Sequence, residues 1–451
     1  MDYAEFLASK AQLDGGCGFA PSFVHPDAYD FQSHLVEWAV RQGRAAIFAD
    51  CGLGKTLMQM TWAQNVARET NKPVLILSPL MVSIQTLEEA EKFGFDAARS
   101  TDGTFNGSDI ITTNYERLHY FDADDFGGVV CDESSIIKNF DGARKGQITE
   151  FMRRSPYRLL CSATPSPNDY IELGTSSEAL GYLGYMDMLS MFFKNDEDSL
   201  HPMSMGSAWR FKTHAQKDFW RWVCSWARAV RKPSDLGYDD GAFVLPELIE
   251  REHTVKSGPL PGELFAMPVR SLQEERQARR QSLQSRCERV AELHDGSGAG
   301  VAWCHLNDEA DLLVELIDGA EQISGADPDE RKEELFTAFR HGQLTKLVTK
   351  PKIAAYGLNW QHCNHMTIFA DHSFEQYYQA VRRFWRFGQK KAVTADVVTA
   401  DTMASVARNL NRKRLAAESM FKMMVEQMND ALTLNRLHDH TVRQEVPSWL
   451  C

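Results

Sequence analysis

The chain has 451 residues, 43% of them hydrophobic and 25% charged, with a formal net charge of −13. That composition suits an ordinary globular protein of roughly two to four domains, and its acidic balance excludes a wholly basic nucleic-acid coat while leaving room for a local basic groove. No apolar run approaches the ~18 residues of a membrane span, the opening MDYAEFLASK lacks the charged-then-apolar order of a secretory signal, and nine scattered cysteines without a C-x-x-C pair point to reduced thiols in a cytoplasm, without zinc or a disulfide framework.

In chain order, AAIFAD (45–50), VLILSP (74–79), DIITTN (109–114), GVVCDE (128–133) and RLLCSA (158–163) are short apolar runs that predict buried strands. Amphipathic stretches such as 56–69 and 83–93 lie between them. Such alternation predicts a parallel sheet covered by helices. The pattern lapses near 181–260, and a helical stretch rich in Arg and Gln follows over 268–294. AGVAWC (299–304), KLVTKP (346–351), MTIFAD (366–371) and VTADVV (393–398) restart a second set of strands. The expectation is α/β throughout: a domain over 1–180, a helical insertion and linker over 181–260, and a second domain with a C-terminal helix over 261–451. The softest boundary is VKSGPLPGEL (255–264), where Gly and Pro break any helix.

ADCGLGKT (49–56) follows the first strand and fits G-x-x-x-x-G-K-[ST] apart from Ala49 at its first position. Gly52 and Gly54 let backbone N–H groups close round a phosphate. Lys55 is expected on the β- and γ-phosphates of ATP, and Thr56 on Mg²⁺ at the start of a helix whose dipole favours an anion. Hydrolysis also needs a carboxylate for the metal and a group to position water. GVVCDESS supplies Asp132 for Mg²⁺ and Glu133 to orient and deprotonate the nucleophile. Asp-Glu after a strand is also common surface chemistry, and its place downstream of Lys55 is what singles it out.

WRFKTHAQKDFWRWVCSWARAVRK (209–232) holds seven Lys or Arg, one Asp and four of the ten Trp. On an ideal helix Lys217, Arg221, Arg228 and Lys232 form one basic stripe, with Phe219, Trp222, Val223, Trp226 and Val230 opposite. The tryptophans are expected in the core, and the stripe is a candidate for phosphate contact against the alternative of a plain solvated face. HCNH (362–365) has metal-ligand residue types but no second cluster at zinc spacing. QAVRRFWRFGQ (379–389) carries Arg382, Arg383 and Arg386, and the last two share a helix face at i, i+3. An arginine supplied by a second domain would answer the charge of a phosphoryl-transfer transition state and make catalysis depend on domain closure. The late segment 406–428 repeats Met420, Met423, Met424 and Met428 at helical spacing, which predicts packing.

With these segments the chain resembles the superfamily 2 helicases, and within them the Swi/Snf-type DNA translocases in a compact, phage-like form. The resemblance runs from about residue 28 to 415 and keeps the family order. YDFQSHL is similar to the adenine-reading segment, with Gln32 as the contact. LILSPLMVSIQTLEEAEKF and IITTNYERL resemble segments that meet the nucleic-acid backbone, which points to Ser78 and Thr113. DESSIIKN matches the Asp-Glu box with the branch's Lys138–Asn139 tail. CSATPSPND resembles the motif that couples hydrolysis to domain movement, through Ser162 and Thr164. KIAAYGLNWQHC resembles the segment linking DNA to the γ-phosphate side, with Gly357 and Asn359. QAVRRFWRFGQ is similar to the arginine-finger helix, with fingers at Arg383 and Arg386 and Gln379 facing the nucleotide.

Ser134 and Ser135 stand where Ala-His is usual, so the resemblance implies that a histidine contact that helps link hydrolysis to coupling is missing or replaced by a hydroxyl. The resemblance implies two RecA-like domains in tandem, ATP and Mg²⁺ as cofactors, and a motor on duplex DNA in the cytoplasm of a bacterial or phage-infected cell. It leaves a strand-separating DNA or RNA helicase and a nucleotide-gated clamp as alternatives, and protein partners open.

Overall fold

The structure is a computed structural model and describes residues 17–105, 107–138, 142–167, 169–195, 209–257, 272–296, 298–354 and 359–438. Its strands in chain order are β1 (Arg44–Ala49), β2 (Val74–Ser78), β3 (Ala97–Arg99), β4 (Ile110–Asn114), β5 (Gly128–Asp132), β6 (Tyr157–Cys161), β7 (Phe193–Asn195), β8 (Trp209–Phe211), β9 (Ala227–Val230), β10 (Leu248–Val255), β11 (Gly300–Trp303), β12 (Ala320–Ile323), β13 (Lys346–Thr349), β14 (His365–Phe369) and β15 (Val393–Ala400). Among the described residues, seven strands form one sheet in the order β3-β4-β2-β5-β6-β1-β9 and six form another in the order β10-β15-β14-β11-β13-β12. Every pairing in both is parallel. These are two tandem RecA-like α/β domains.

The apolar runs form strands because both faces of each sheet are covered. In β1, Ala46 and Phe48 enter one core cluster, while Ala45, Ile47 and Ala49 enter the cluster on the opposite face. Successive residues thus alternate between two buried layers. Helix α1 (Asp30–Gln42) and helix α2 (Lys55–Thr70) cover the second of these faces beside β1.

The nine predicted strands all form, and the segment 181–260 is where sequence and structure part. Rather than standing apart as a helical insertion, it gives β9 to the first sheet and β10 to the second. The expected single helix over 209–232 stops at Trp226: α3 spans Ala215–Trp226, and the chain then pairs with β1 from Ala46↔Ala227 to Ala49↔Val230. Hydrogen bonding to an open sheet edge outweighs the helical spacing there. The tryptophans pack as expected, with Trp220 and Trp226 buried.

The last helix, α5 (Ala404–His438), leaves the second sheet and lies on the first domain. Met420 and Met424 are buried in one core cluster of that domain and Met428 in the other. Burying each methionine contributes about 2 kcal/mol. The thiol of Cys224 in α3 donates to the Met424 carbonyl at 3.6 Å. No helix among the described residues is long and apolar enough to cross a membrane.

Candidate active site

The phosphate loop joins β1 to α2. Gly52 and Gly54 hold φ of 86° and 75°, a left-handed backbone that glycine alone adopts freely. Space reinforces the choice. A Cβ on Gly52 would lie 2.8 Å from the Phe387 nitrogen, and one on Gly54 would strike the Gln32 amide. Lys55 opens α2 and folds back, donating to the carbonyls of Ala49 at 2.9 Å and Asp50 at 3.2 Å. Thr56 follows in the first turn.

Gln32 is buried and committed to the chain. Its Nε2 donates to the Leu53 carbonyl at 2.8 Å, and its Oε1 accepts from the Tyr29 nitrogen at 2.9 Å. It supports the loop from beneath, so both ends of the amide expected to read adenine are occupied by backbone.

The Asp-Glu pair ends β5, two strands from β1 with β6 between. Asp132 accepts from Gln59 Nε2 at 2.6 Å, and burial pushes its carboxyl above the ordinary range. Gln59 Oε1 has no partner among the described groups. A buried carboxylate held by neutral donors, beside an orphaned acceptor and a threonine hydroxyl, is a hard-oxygen set that suits Mg²⁺. No group of three His, Cys, Asp or Glu among the described residues could hold a metal by itself.

Glu133 has φ 55° and ψ 54°, a left-handed backbone that a non-glycine residue rarely adopts and that recurs at functional sites. Burial raises its carboxyl too, against the pull of Lys55. Ser162 donates to Glu133 Oε1 at 2.9 Å and accepts from the Thr164 nitrogen at 3.0 Å. One hydroxyl therefore ties the glutamate to the loop after β6. Ser135 reaches the same oxygen only at 3.4 Å, and Ser134 is buried. The main hydroxyl partner of Glu133 is thus Ser162 rather than Ser134 or Ser135.

The second domain presses onto this loop. Helix α4 (Phe374–Val381) runs into a turn that carries the three arginines. Arg386 donates to Asn359 Oδ1, and its Cβ stands 3.3 Å from where a Gly52 Cβ would be. Arg382 pairs with the Asp50 carboxylate of the loop itself. Arg383 donates to Gln379 Oε1 at 3.2 Å, and both are buried. Gln379 thus faces an arginine rather than an open cleft. The sequence singled out Arg383 and Arg386, whereas the two guanidinium-bearing residues against the phosphate loop are Arg382 and Arg386. Asp50, Tyr378 and Arg382 were missed. An acidic residue at the second position of the loop was the available signal. Gly357 and Asn139 lie outside the described residues.

Two cavities of about 790 Å³ each open between the domains. Lys138, Arg144, Lys145, Lys332 and Lys352 line the first, together with Glu116, Glu133 and Glu375. The second is walled by the loop after β6, by α4 and by α5, with Arg382 and Tyr378 facing it.

Ser78 and Thr113 do not line the first cavity. Their hydroxyls are buried within the sheet, and Pro79 and Asn114, one residue further along, reach it. The basic stripe of 209–232 also dissolves. Lys217 and Arg221 are exposed on α3, Arg221 lying 3.8 Å from Asp218. Arg228 lies in β9, where it stacks 4.3 Å above Trp38 and donates to the Cys224 carbonyl. Lys232 sits 3.6 Å from Asp240. None of the four lines the first cavity. In HCNH, Cys363 donates to backbone carbonyls and His365 pairs with Asp396 at 2.9 Å.

No protein-family model matches the chain, and no curated protein matches it in sequence. Among solved structures it is similar to the Sulfolobus solfataricus SWI2/SNF2 ATPase core in complex with dsDNA, at 16% identity over 90% of this chain and 98% of that one, with a TM-score of 0.42.

Proposed function

We propose that this chain is a nucleic-acid-stimulated ATPase of the superfamily 2, Swi/Snf-type kind that translocates on duplex DNA. The observation that supports it most is the setting of the glycine loop: Lys55 lies close enough to act on the Asp-Glu pair, and Arg382 and Arg386 of the other domain pack against the same loop. Lys55 leaves the carbonyls it now satisfies and meets the β- and γ-phosphates of ATP. Glu133, whose burial raises the proton affinity of its carboxylate, is suited in its ionised form to take a proton from the attacking water. Arg386 and Arg383 offset the charge that develops in the transition state. Mg²⁺, held by Thr56 and Asp132, would neutralise phosphate charge when bound.

Nucleic acid lies along the first cavity, where Lys332 and Lys352 offer phosphate contacts and Lys138, Arg144 and Lys145 would have to exchange glutamate partners to add theirs. Glu133 reaches that cavity, and Ser162 joins it to the loop facing the second one. A strand moving in the groove and a water at the phosphate thus share one hydrogen-bonded residue.

ATPase rates with saturating duplex DNA, single-stranded DNA and RNA test the proposal. Stimulation greatest with duplex DNA is expected. No hydrolysis under any of them leaves the clamp, and strand release from a forked duplex replaces the translocase with a helicase.

A further inference from the structure

Asp50 is the residue just beyond β1 and is 3% exposed. Both its oxygens are in use. Oδ1 accepts from the Cys51 nitrogen at 2.6 Å and from the Tyr378 hydroxyl, and Oδ2 accepts from Arg382 Nη2. Tyr378 and Arg382 come from the second domain, 328 and 332 residues further along. Arg382 is clamped from its other side. It lies 4.3 Å above the Trp385 ring, whose indole nitrogen donates to the Pro246 carbonyl at 2.6 Å.

Burial alone would lower the affinity of the Arg382 guanidinium for its proton. The Asp50 carboxylate reverses this, and its pKa lies above the ordinary arginine value. A loop N–H, a phenol and a guanidinium on one anion are the kinds of donor that a nucleotide phosphate attracts. Lys55 is meanwhile turned onto two carbonyls of the same loop. The loop is therefore satisfied by its own chain, and the second domain is fastened to it.

We propose that Asp50 is a resident anion that holds Arg382 and Tyr378 on the phosphate loop when no nucleotide is there, and that an entering nucleoside triphosphate competes with it for Arg382. The fastening stands on geometry; the competition rests on the ATPase proposal.

Hydrogen–deuterium exchange of the nucleotide-free full-length chain reads the fastening over residues 50–56 and 374–389. Asp50→Asn and Arg382→Gln should each raise exchange in both segments about tenfold, the scale of one lost charge-assisted hydrogen bond. The double variant should exchange no faster than the single ones, because all remove one contact. Arg382→Gln still leaves the Asp50 carboxylate its Cys51 and Tyr378 donors, so it reports even where Asp50→Asn, which strands a buried cation, misfolds. Exchange unchanged in Arg382→Gln, or raised only in the segment that carries the substitution, overturns the fastening.

The imido analogue of ATP with Mg²⁺ is the probe for competition. Asp50→Asn should bind it about tenfold more tightly than wild type, and equal or weaker binding overturns competition. Wild type failing to bind the analogue at all overturns the ATPase proposal and the competition with it, while the exchange result still decides the fastening.

Discussion

On the first-domain wall of the cleft the ionisable groups of the Asp-Glu pair are held by neutral donors, Gln59 on Asp132 and Ser162 on Glu133. On the second-domain wall each arginine has a different acceptor: a carboxylate for Arg382, an amide oxygen of the preceding helix for Arg383 and an amide oxygen of a neighbouring loop for Arg386. The carboxylates are buried, and burial raises the pKa of both against the pull of Lys55. The guanidiniums are already engaged, so under the proposed ATPase reading they would exchange partners. One wall is primed by desolvation and the other by occupied contacts.

The largest effects should come from the first wall. Lys55→Ala should abolish ATP turnover and weaken nucleotide binding. Glu133→Gln should keep binding while turnover falls by about 10³-fold, the scale of a lost general base. Single-turnover hydrolysis beside equilibrium binding separates the two, and an active Glu133→Gln enzyme would show that water activation lies elsewhere. Next come the arginines. Arg383→Ala and Arg386→Ala should each leave ATP affinity near normal and cut turnover by up to about 10³-fold, as a finger does. Loss of turnover in only one of them would assign the role that their different surroundings leave divided.

A smaller change tests the neutral support. Ser162 stabilises ionised Glu133, so Ser162→Ala should raise the Glu133 pKa further. A base must be deprotonated to act, so the acid limb of the pH–rate profile should move to higher pH, with turnover down about tenfold at neutrality. An unmoved limb would mean that Ser162 only packs. The smallest effect concerns nucleic acid. Lys332→Ala and Lys352→Ala should each reduce the slope of log affinity against log salt by roughly 0.9 on duplex DNA, while Lys217→Ala leaves it unchanged. Salt titration of binding checks both, and the reverse pattern would move the groove to α3.

Most of the framework was legible because buried parallel strands are written as continuous apolar runs, and because an Asp-Glu pair three predicted strands after Gly-Lys-Thr is informative by its order. Three things resisted. β10, Leu248–Val255, is largely exposed and reads LIEREHTV, which carries no such run. Ala227–Val230 sits on a helical rhythm set by its tryptophans, and only a vacant sheet edge makes it a strand. The pairing of Asp50 with Arg382 spans 332 residues. Spacing ranked Arg383 with Arg386 because they share a helical face, but α4 ends at Val381 and the turn beyond it re-aims each side chain.

Because α5 returns to bury Met420, Met424 and Met428 in the first domain, the backbone crosses between the two bodies twice, once between Val230 and Leu248 and again after Ala400. A pair joined by one strap can swivel and drift. A pair joined by two, on separate lines, keeps chiefly the rotation about the line through both attachments. The second crossing also keeps the lobes at high effective concentration when the cleft is open. A proteolytic nick in the first strap should therefore leave the halves together, and reopening should follow an arc set by the body's own seams.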